Sequence, residues 1–492
     1  MHFALLLISI LFIVFQVLVR LGRAGFSSLR DIPGPFWTRF TSLWYFNHVR
    51  HGSFEHENIQ LHQKYGPVVR LAPNHYSISD FSAIKTVYGT GSQFAKSAWY
   101  DGWKHPAQWT VFADRNIKRH SDTRKRFTSL YSMSSLVHYE PFVDQCAEMF
   151  NNRLIEFTET KKSLNLGHWF QCYAFDVIGN ITFGDRFGFL DQGKDIDGAM
   201  AAHLDWSVSR VASPIVWATE QVQMVRAGGR AYISRFVQEK IRLHEADSKT
   251  FDKGTSEHRQ TQDFVDKLIM ARDKDPEKVT DYHLFIMGQS NVTAGSDTTA
   301  ISLSSIMWHL LQNPETLAKL RAEIDTFTAN GLCSENVAFK ESQDMPYFQA
   351  VMKEALRMHS ATGLPMWREI PAGGAQINDR FFPAGTVIGV NTWVVHYDER
   401  VFPDSKSFRP ERWLEAENDP DKLKEMNQMY MPFGLGSRTC LGKHISILEM
   451  SKLIPRLVRD YDFTPLRNNW KTENYWFVKP MDFEVHVQKR VK

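Results

Sequence analysis

Residues 433–442 read Phe-Gly-Leu-Gly-Ser-Arg-Thr-Cys-Leu-Gly, and no other ten residues constrain this chain as strongly. A glycine-rich turn around one cysteine lets backbone N–H groups approach the sulfur, and Gly436 and Gly442 permit that approach. A bare thiolate is strongly basic and readily oxidised unless hydrogen-bond donors surround it. Phe433 can shield Cys440 from water, and Arg438 adds a cation nearby. At ordinary residue frequencies the pattern Phe-x-x-Gly-x-Arg-x-Cys-x-Gly arises by chance in on the order of one chain in 10⁴. The competing reading is a surface turn carrying a free cysteine.

The other cysteines, Cys146, Cys172 and Cys333, lie far from Cys440 and from one another, with no Cys-x-x-Cys pair. That spacing argues against a structural zinc site and against a disulfide scaffold, and it suits a reducing compartment. These three read as ordinary buried residues. A chain of 492 residues, 43% hydrophobic, can bury a large core. A net charge of +3 is too small to indicate a nucleic-acid partner, and none is expected.

Residues 3–19 form an uncharged apolar run, followed by Arg20, Arg23 and Arg30. A run of this length suffices to span a thin bilayer as a helix. A cleaved signal peptide is the alternative, but no charge precedes the run and no small-residue cleavage site follows it. The arginines after the run place the body in the cytosol. Residues 1–20 are therefore expected to be one transmembrane anchor in the endoplasmic reticulum membrane. Residues 21–35, ending in Pro33-Gly34-Pro35, form a basic stalk, and residues 36–492 the main body.

Along the body, 68–71 and 76–78 read as short strands, and 139–157, 264–272 and 282–312 as helices, with Pro314 as a stop. Residues 375–394 return to strand character with a turn at 381–385; 476–478 and 483–487 also alternate. The fold class is mainly α with small β-sheets. In the segment Ala294-Gly-Ser-Asp-Thr-Thr299, Gly295 costs about 1 kcal/mol in a helix interior, and close approach to a flat cofactor would offset it.

The cysteine pattern is complete for the cytochrome P-450 family, and the resemblance extends over most of the chain. Glu354-Ala-Leu-Arg357 resembles the family's Glu-x-x-Arg helix, and Pro410-Glu-Arg-Trp413 its Pro-Glu-Arg-aromatic element. Together they imply a Glu354–Arg357–Arg412 cluster in a cytochrome P-450 fold. The resemblance implies haem b, iron-protoporphyrin IX, with Cys440 as the metal ligand; thiolate ligation of haem iron favours O–O cleavage. Asp297 and Thr298 resemble the acid–alcohol pair that relays protons. His120 and Arg124, standing where many relatives have Trp-x-x-x-Arg, join Arg368 and Arg438 as propionate partners.

Segments 66–74, 131–136 and 383–391 resemble fungal microsomal enzymes of the pisatin demethylase group. That likeness implies a lipophilic secondary metabolite as substrate, oxidised by O₂ with NADPH electrons from a separate cytochrome P-450 reductase. The basic segment 115–126 would dock the reductase, Arg124 turning inward and the other cations facing outward. Trp99, Tyr100, Trp103, Trp109, Phe112, Ile286, Met287, Asn291 and residues 364–366 would line an apolar pocket, with Lys104 toward solvent. Tryptophans that merely pack the loop or dip into a bilayer are the alternative. Two other functions stay open: a haem-thiolate isomerase or dehydratase, and a non-enzymatic single-pass membrane protein.

Overall fold

The computed structural model describes residues 24–103, 109–201, 228–250 and 263–491, with Leu11, Val14, Phe15, Leu18, Val19, Leu21 and Gly22 before them. Most of the apolar run 3–19 lies outside the described residues, as does Lys104. Among the described residues no helix is long and apolar enough to cross a membrane. Leu29 and Ile32, within the expected stalk, are buried beside Tyr76 and Ile78 of the body.

Helices dominate, as their 3.6-residue pattern requires, and nine of them position the site. They are α1 (Phe54–Tyr65), α2 (Ile117–Phe127), α3 (Met133–Thr160), α4 (Leu166–Phe183), α5 (Gly228–Thr250), α6 (Phe264–Lys274), α7 (Asp281–Gln312), α8 (Pro346–Met358) and α9 (Lys443–Asp460). The 32-residue α7 starts at a Thr280–His283 capping box. Pro314 opens the next helix at a position where its missing N–H costs nothing. Because α7 is buried nearly all round, three of its serines bond within the helix: Ser296, Ser302 and Ser304 each donate to the carbonyl four residues back.

Two glycines let α7 approach its neighbours. A Cβ on Gly288 would meet Val237 of α5 at 3.2 Å and Phe183 of α4 at 3.3 Å. One on Gly295 would come within 3.0 Å of Ile178. Gly295 thus lets α7 lie close against α4. Between α3 and α9 runs a ladder of charge. Lys452, almost wholly buried, sits 2.7 Å from both Glu140 and Asp144, and Arg456 reaches Glu148 at 2.7 Å.

The main sheet has the order β1-β2-β8-β5-β3, from β1 (Val68–Ala72), β2 (His75–Ile78), β3 (Ala95–Lys96), β5 (Arg368–Glu369) and β8 (Val387–Gly389). A second sheet orders β4 (Leu164–Asn165), β12 (Glu484–Lys489) and β9 (Tyr461–Pro465), and β6 (Ala375–Ile377) pairs with β7 (Arg380–Phe382). The strand character expected through 394 stops earlier. Asn391 accepts from the Trp393 backbone N–H, and Thr392–His396 turn into a short helix. β10 (Lys471–Asn474) and β11 (Val478–Met481) form a separate hairpin. Trp476, expected in a strand, stands in its turn at φ 142°.

Candidate functional site

The cysteine loop is closed by its own backbone. Cys440 N donates to Phe433 O (2.8 Å), Thr439 N to Gly436 O (3.1 Å) and Gly434 N to Met431 O (3.0 Å). Gly434 and Gly436 have φ of 69° and 57°, the left-handed region where a side chain is strained. A Cβ on Gly436 would lie 2.1 Å from Tyr88 O. Gly436 therefore serves a close approach to the Tyr88–Gly89 backbone. The N–H groups that reach the sulfur belong to Gly442 and Lys443.

Cys440 is exposed by surface area. Yet burial is the main influence on its thiol and pushes its pKa up, against those two amides and the charges of Arg124 and Lys443. A Cβ on neighbouring Gly442 would meet nothing within 4 Å. Mid-helix in α7, Ala294 is exposed and Thr298 half-buried, while residues 299–307 are buried. The other three cysteines are buried, as expected.

On one side of the loop the fold gathers cations. A cavity of about 400 Å³ is bounded by His120, Arg124, Arg368 and Arg438, together with Tyr88 and Ser437. Arg438 donates through Nη1 to Asp114 O (2.7 Å), but its buried Nη2 has no partner. Burial, with Arg368 and Arg124 nearby, lowers its pKa to about 10. Lys96 of β3 is also buried, and burial, Arg368 and Arg438 hold its pKa well down. His120 is pushed to about 3 by burial and by Arg438, Lys96 and Arg124, so its imidazole is neutral at physiological pH. Asp114 is the acid among them, and Arg119 already takes both its oxygens at 2.7 Å.

Buried cations in this excess need an anionic partner. The two propionates of haem supply one, and Cys440 supplies the soft ligand, so the residues present fit that cofactor. Lys96 and Asp114 were not evident from the sequence. Nothing in their local context marks them, and only tertiary folding brings them to Arg438.

The Glu354 cluster is present. Its carboxylate accepts from Arg357 Nε and Nη2 (2.9 and 2.8 Å), Arg412 Nε (2.9 Å) and Trp413 Nε1 (3.0 Å). Sequence reasoning missed its link to the cysteine loop. Arg357 Nη1 donates to His396 O (2.7 Å). His396 holds Arg357 O through Nδ1 (3.0 Å) and accepts from Met431 N at Nε2 (2.9 Å). Burial lowers the His396 pKa to about 3, which keeps the neutral ring this pattern needs.

Asp297 and Thr298 lie side by side on α7. Thr298 Oγ1 donates to Ala294 O (2.7 Å). Asp297, buried, accepts from Gln171 Nε2 and pairs with Lys479. The expected pocket set divides. Of it, Trp99, Tyr100, Trp103 and Phe112 pack on one another and on Trp476, with ring centroids 4.9–6.2 Å apart. Ile286 and Met287 are buried in the main core. Asn291 is engaged by Tyr131 and Thr182. Trp109 packs instead against Tyr282 (tilted) and His283 (edge-on).

The basic segment is also less free than its composition suggested. Arg115 pairs with Asp101 and Glu369, Arg119 with Asp114, and Arg126 donates to Lys278 O. Among the described residues Lys118 and Lys125 remain exposed and without an ion pair.

The model of the family "Cytochrome P-450" matches residues 32–483. A cytochrome P-450 monooxygenase of Aspergillus terreus is 38% identical over 477 residues, covering 92% of this chain and 94% of the relative. A pisatin demethylase of Fusarium vanettenii is 35% identical over 498 residues, with 98% and 93% covered. A cytochrome P-450 monooxygenase of Emericella nidulans is 36% identical over 511 residues, with 100% and 98% covered. With the thiolate loop, the buried cation set and a match over nearly its whole length, this chain belongs to the cytochrome P-450 family of haem-thiolate monooxygenases.

Proposed function

We propose that the protein oxidises a lipophilic fungal secondary metabolite, in its biosynthesis or detoxification, with electrons from NADPH delivered by a separate reductase. Haem, when bound, supplies the activation of O₂. The chain's own residues do the rest. Cys440 ligates the iron, screened by Phe433 and by the Gly442 and Lys443 amides. Arg438, Arg368, Arg124, Lys96 and neutral His120 hold the propionates. Thr298, on the less buried face of α7, and buried Asp297 next to it in the chain hold and pass protons.

The observation that carries this reading is the exposed Cys440 in a loop whose Ser437 and Arg438 line a cavity of unmatched cations. A relative named for demethylating pisatin supports the substrate class. Exposed Lys118 and Lys125 support reductase docking at α2, through association rate and with strong salt dependence. The exposed Phe26, Phe36 and Trp37 beside the apolar run support seating on the endoplasmic reticulum membrane, where amphipathic aromatics favour the interface.

The test is the ferrous–carbon monoxide spectrum. Wild type and the Cys146→Ser and Cys333→Ser variants should show the strongly red-shifted Soret band of thiolate ligation. Cys440→His should lack it. The same band in the Cys440 variant would defeat the assignment.

A further inference from the structure

α5 turns one stripe of side chains inward, with Ile233, Val237 and His244 all buried. The earlier part of that stripe holds α7. Val237 lies against Gly288, and Gln289 Nε2 donates to Ser234 Oγ (2.9 Å). Farther along, His244 is only 5% exposed, and a polar ring so placed needs its nitrogens matched. Nδ1 meets Lys240 O one turn back (2.7 Å). Nε2 meets Asp263 Oδ2 of α6 (2.8 Å), with Asp266 Oδ1 at 3.8 Å.

A neutral imidazole has one N–H and can serve only one of these acceptors. A backbone carbonyl and a carboxylate both accept, so the arrangement calls for a ring carrying both protons. Burial works against that charge, but the Asp263 hydrogen bond and charge, the Lys240 carbonyl and the Asp266 charge outweigh it and raise the pKa. Lys267 of α6, which senses both acids, is engaged with the Tyr139 hydroxyl of α3 (3.2 Å). Asp263 also caps α6, its Oδ1 accepting from Asp266 N (2.9 Å), so the His244 bond fastens α5 to the start of that helix. A second tie between the two helices, Arg272 to Glu245, is built from residue types that do not titrate near neutrality.

We propose that His244 is a pH-sensitive clasp: with both nitrogens protonated it ties α5 to α6, and on losing one proton to solvent it lets the C-terminal half of α5 loosen and relax its hold on α7. The neutral ring must turn a lone pair toward either the Lys240 carbonyl or the Asp263 carboxylate, and that contact becomes repulsive. Linkage gives the sign. The clasp's stability is fully present below the ordinary histidine value, 6.5, and is lost as pH rises through the raised one.

Hydrogen exchange of the full-length holoprotein, read by mass spectrometry on peptides from 228–250 and corrected for the intrinsic pH dependence of exchange, tests this. Wild-type α5 should lose protection several-fold between about pH 6 and about pH 9. Asp263→Asn keeps a good helix cap and removes the charge. That variant and His244→Gln should both show the lower protection throughout the range. Glu245→Gln, which breaks the other tie, should lower protection and leave its pH dependence in place. Thermal melting of His244→Gln, Asp263→Asn and the double variant adds a second readout, with shifts non-additive at about pH 6 and additive at about pH 9. Wild-type protection that does not change with pH overturns the clasp, and that comparison needs no variant to fold. A pH-dependent loss that survives in His244→Gln overturns it too, since another group would then be the sensor. Additive melting shifts at about pH 6 would show that the pair is not coupled, and the clasp falls with it.

Discussion

Glu449 on α9 is fully buried, and neither of its carboxylate oxygens has a hydrogen-bond partner; the buried Tyr173 hydroxyl nearby has none either. Burial alone pushes the Glu449 pKa well above its ordinary value, so the folded chain holds this side chain protonated. The sign follows from linkage. A raised folded-state pKa means stability is fully present below the unfolded pKa, near 4.5, and is lost as pH climbs through the folded value. Glu449→Gln keeps the shape and removes the titration. The variant should gain melting temperature relative to wild type as pH rises from about 4.5 past neutrality. Parallel melting curves across that range would show that Glu449 does not titrate in the fold. The residue scale is also where the sequence spoke most clearly. Cys440 and Arg438 were legible because their spacing alone specifies a ligand loop. Lys96 was not, because a lysine in a two-residue strand carries no mark of burial until β3 is packed under Arg438. His396 was hidden for the same reason, as a histidine in a five-residue helix that points at a loop 35 residues away.

Between elements, the path from α8 to the cysteine loop runs through Glu354, Arg357 and His396. Glu354→Ala leaves two buried guanidinium groups without their acid, a loss of roughly 3–5 kcal/mol. His396→Leu strands the Met431 N–H and the Arg357 carbonyl, a loss of about 1–3 kcal/mol. The two sites share partners, so the double variant should lose less than the sum. Urea unfolding of the three variants measures this; strict additivity would mean that His396 is a packing residue only. The long helices were readable from their periodicity: 282–312 and 264–272 fall inside α7 and α6. Their contacts were not. Gly295 was legible as a point of close approach, but that Ile178 of α4 is a neighbour it meets was not. A pattern reports which face is apolar and does not say which neighbour covers it. The aromatic loop shows the same limit: that Trp99, Tyr100, Trp103 and Phe112 would gather around Trp476 was not visible before folding.

For the whole molecule, the exposed apolar side chains near the N-terminus and the buried cations around Arg438 each carry a prediction. Removing residues 1–21 should release much of the protein from microsomes with an unchanged carbon monoxide spectrum. Release should stay incomplete, because Phe26, Phe36, Trp37 and Leu43 remain exposed on the part retained. Replacing Phe36 and Trp37 by serine in the truncated chain should complete it. Sedimentation with and without high salt separates this apolar contribution from a charged one. The unmatched cations around Arg438 have a consequence for abundance. A ligand that binds only the folded chain adds stability in proportion to the logarithm of its free concentration. The steady-state level of this protein is thereby tied to porphyrin and iron supply: cells short of either should hold less of it at constant synthesis, through faster clearance of unfilled chains.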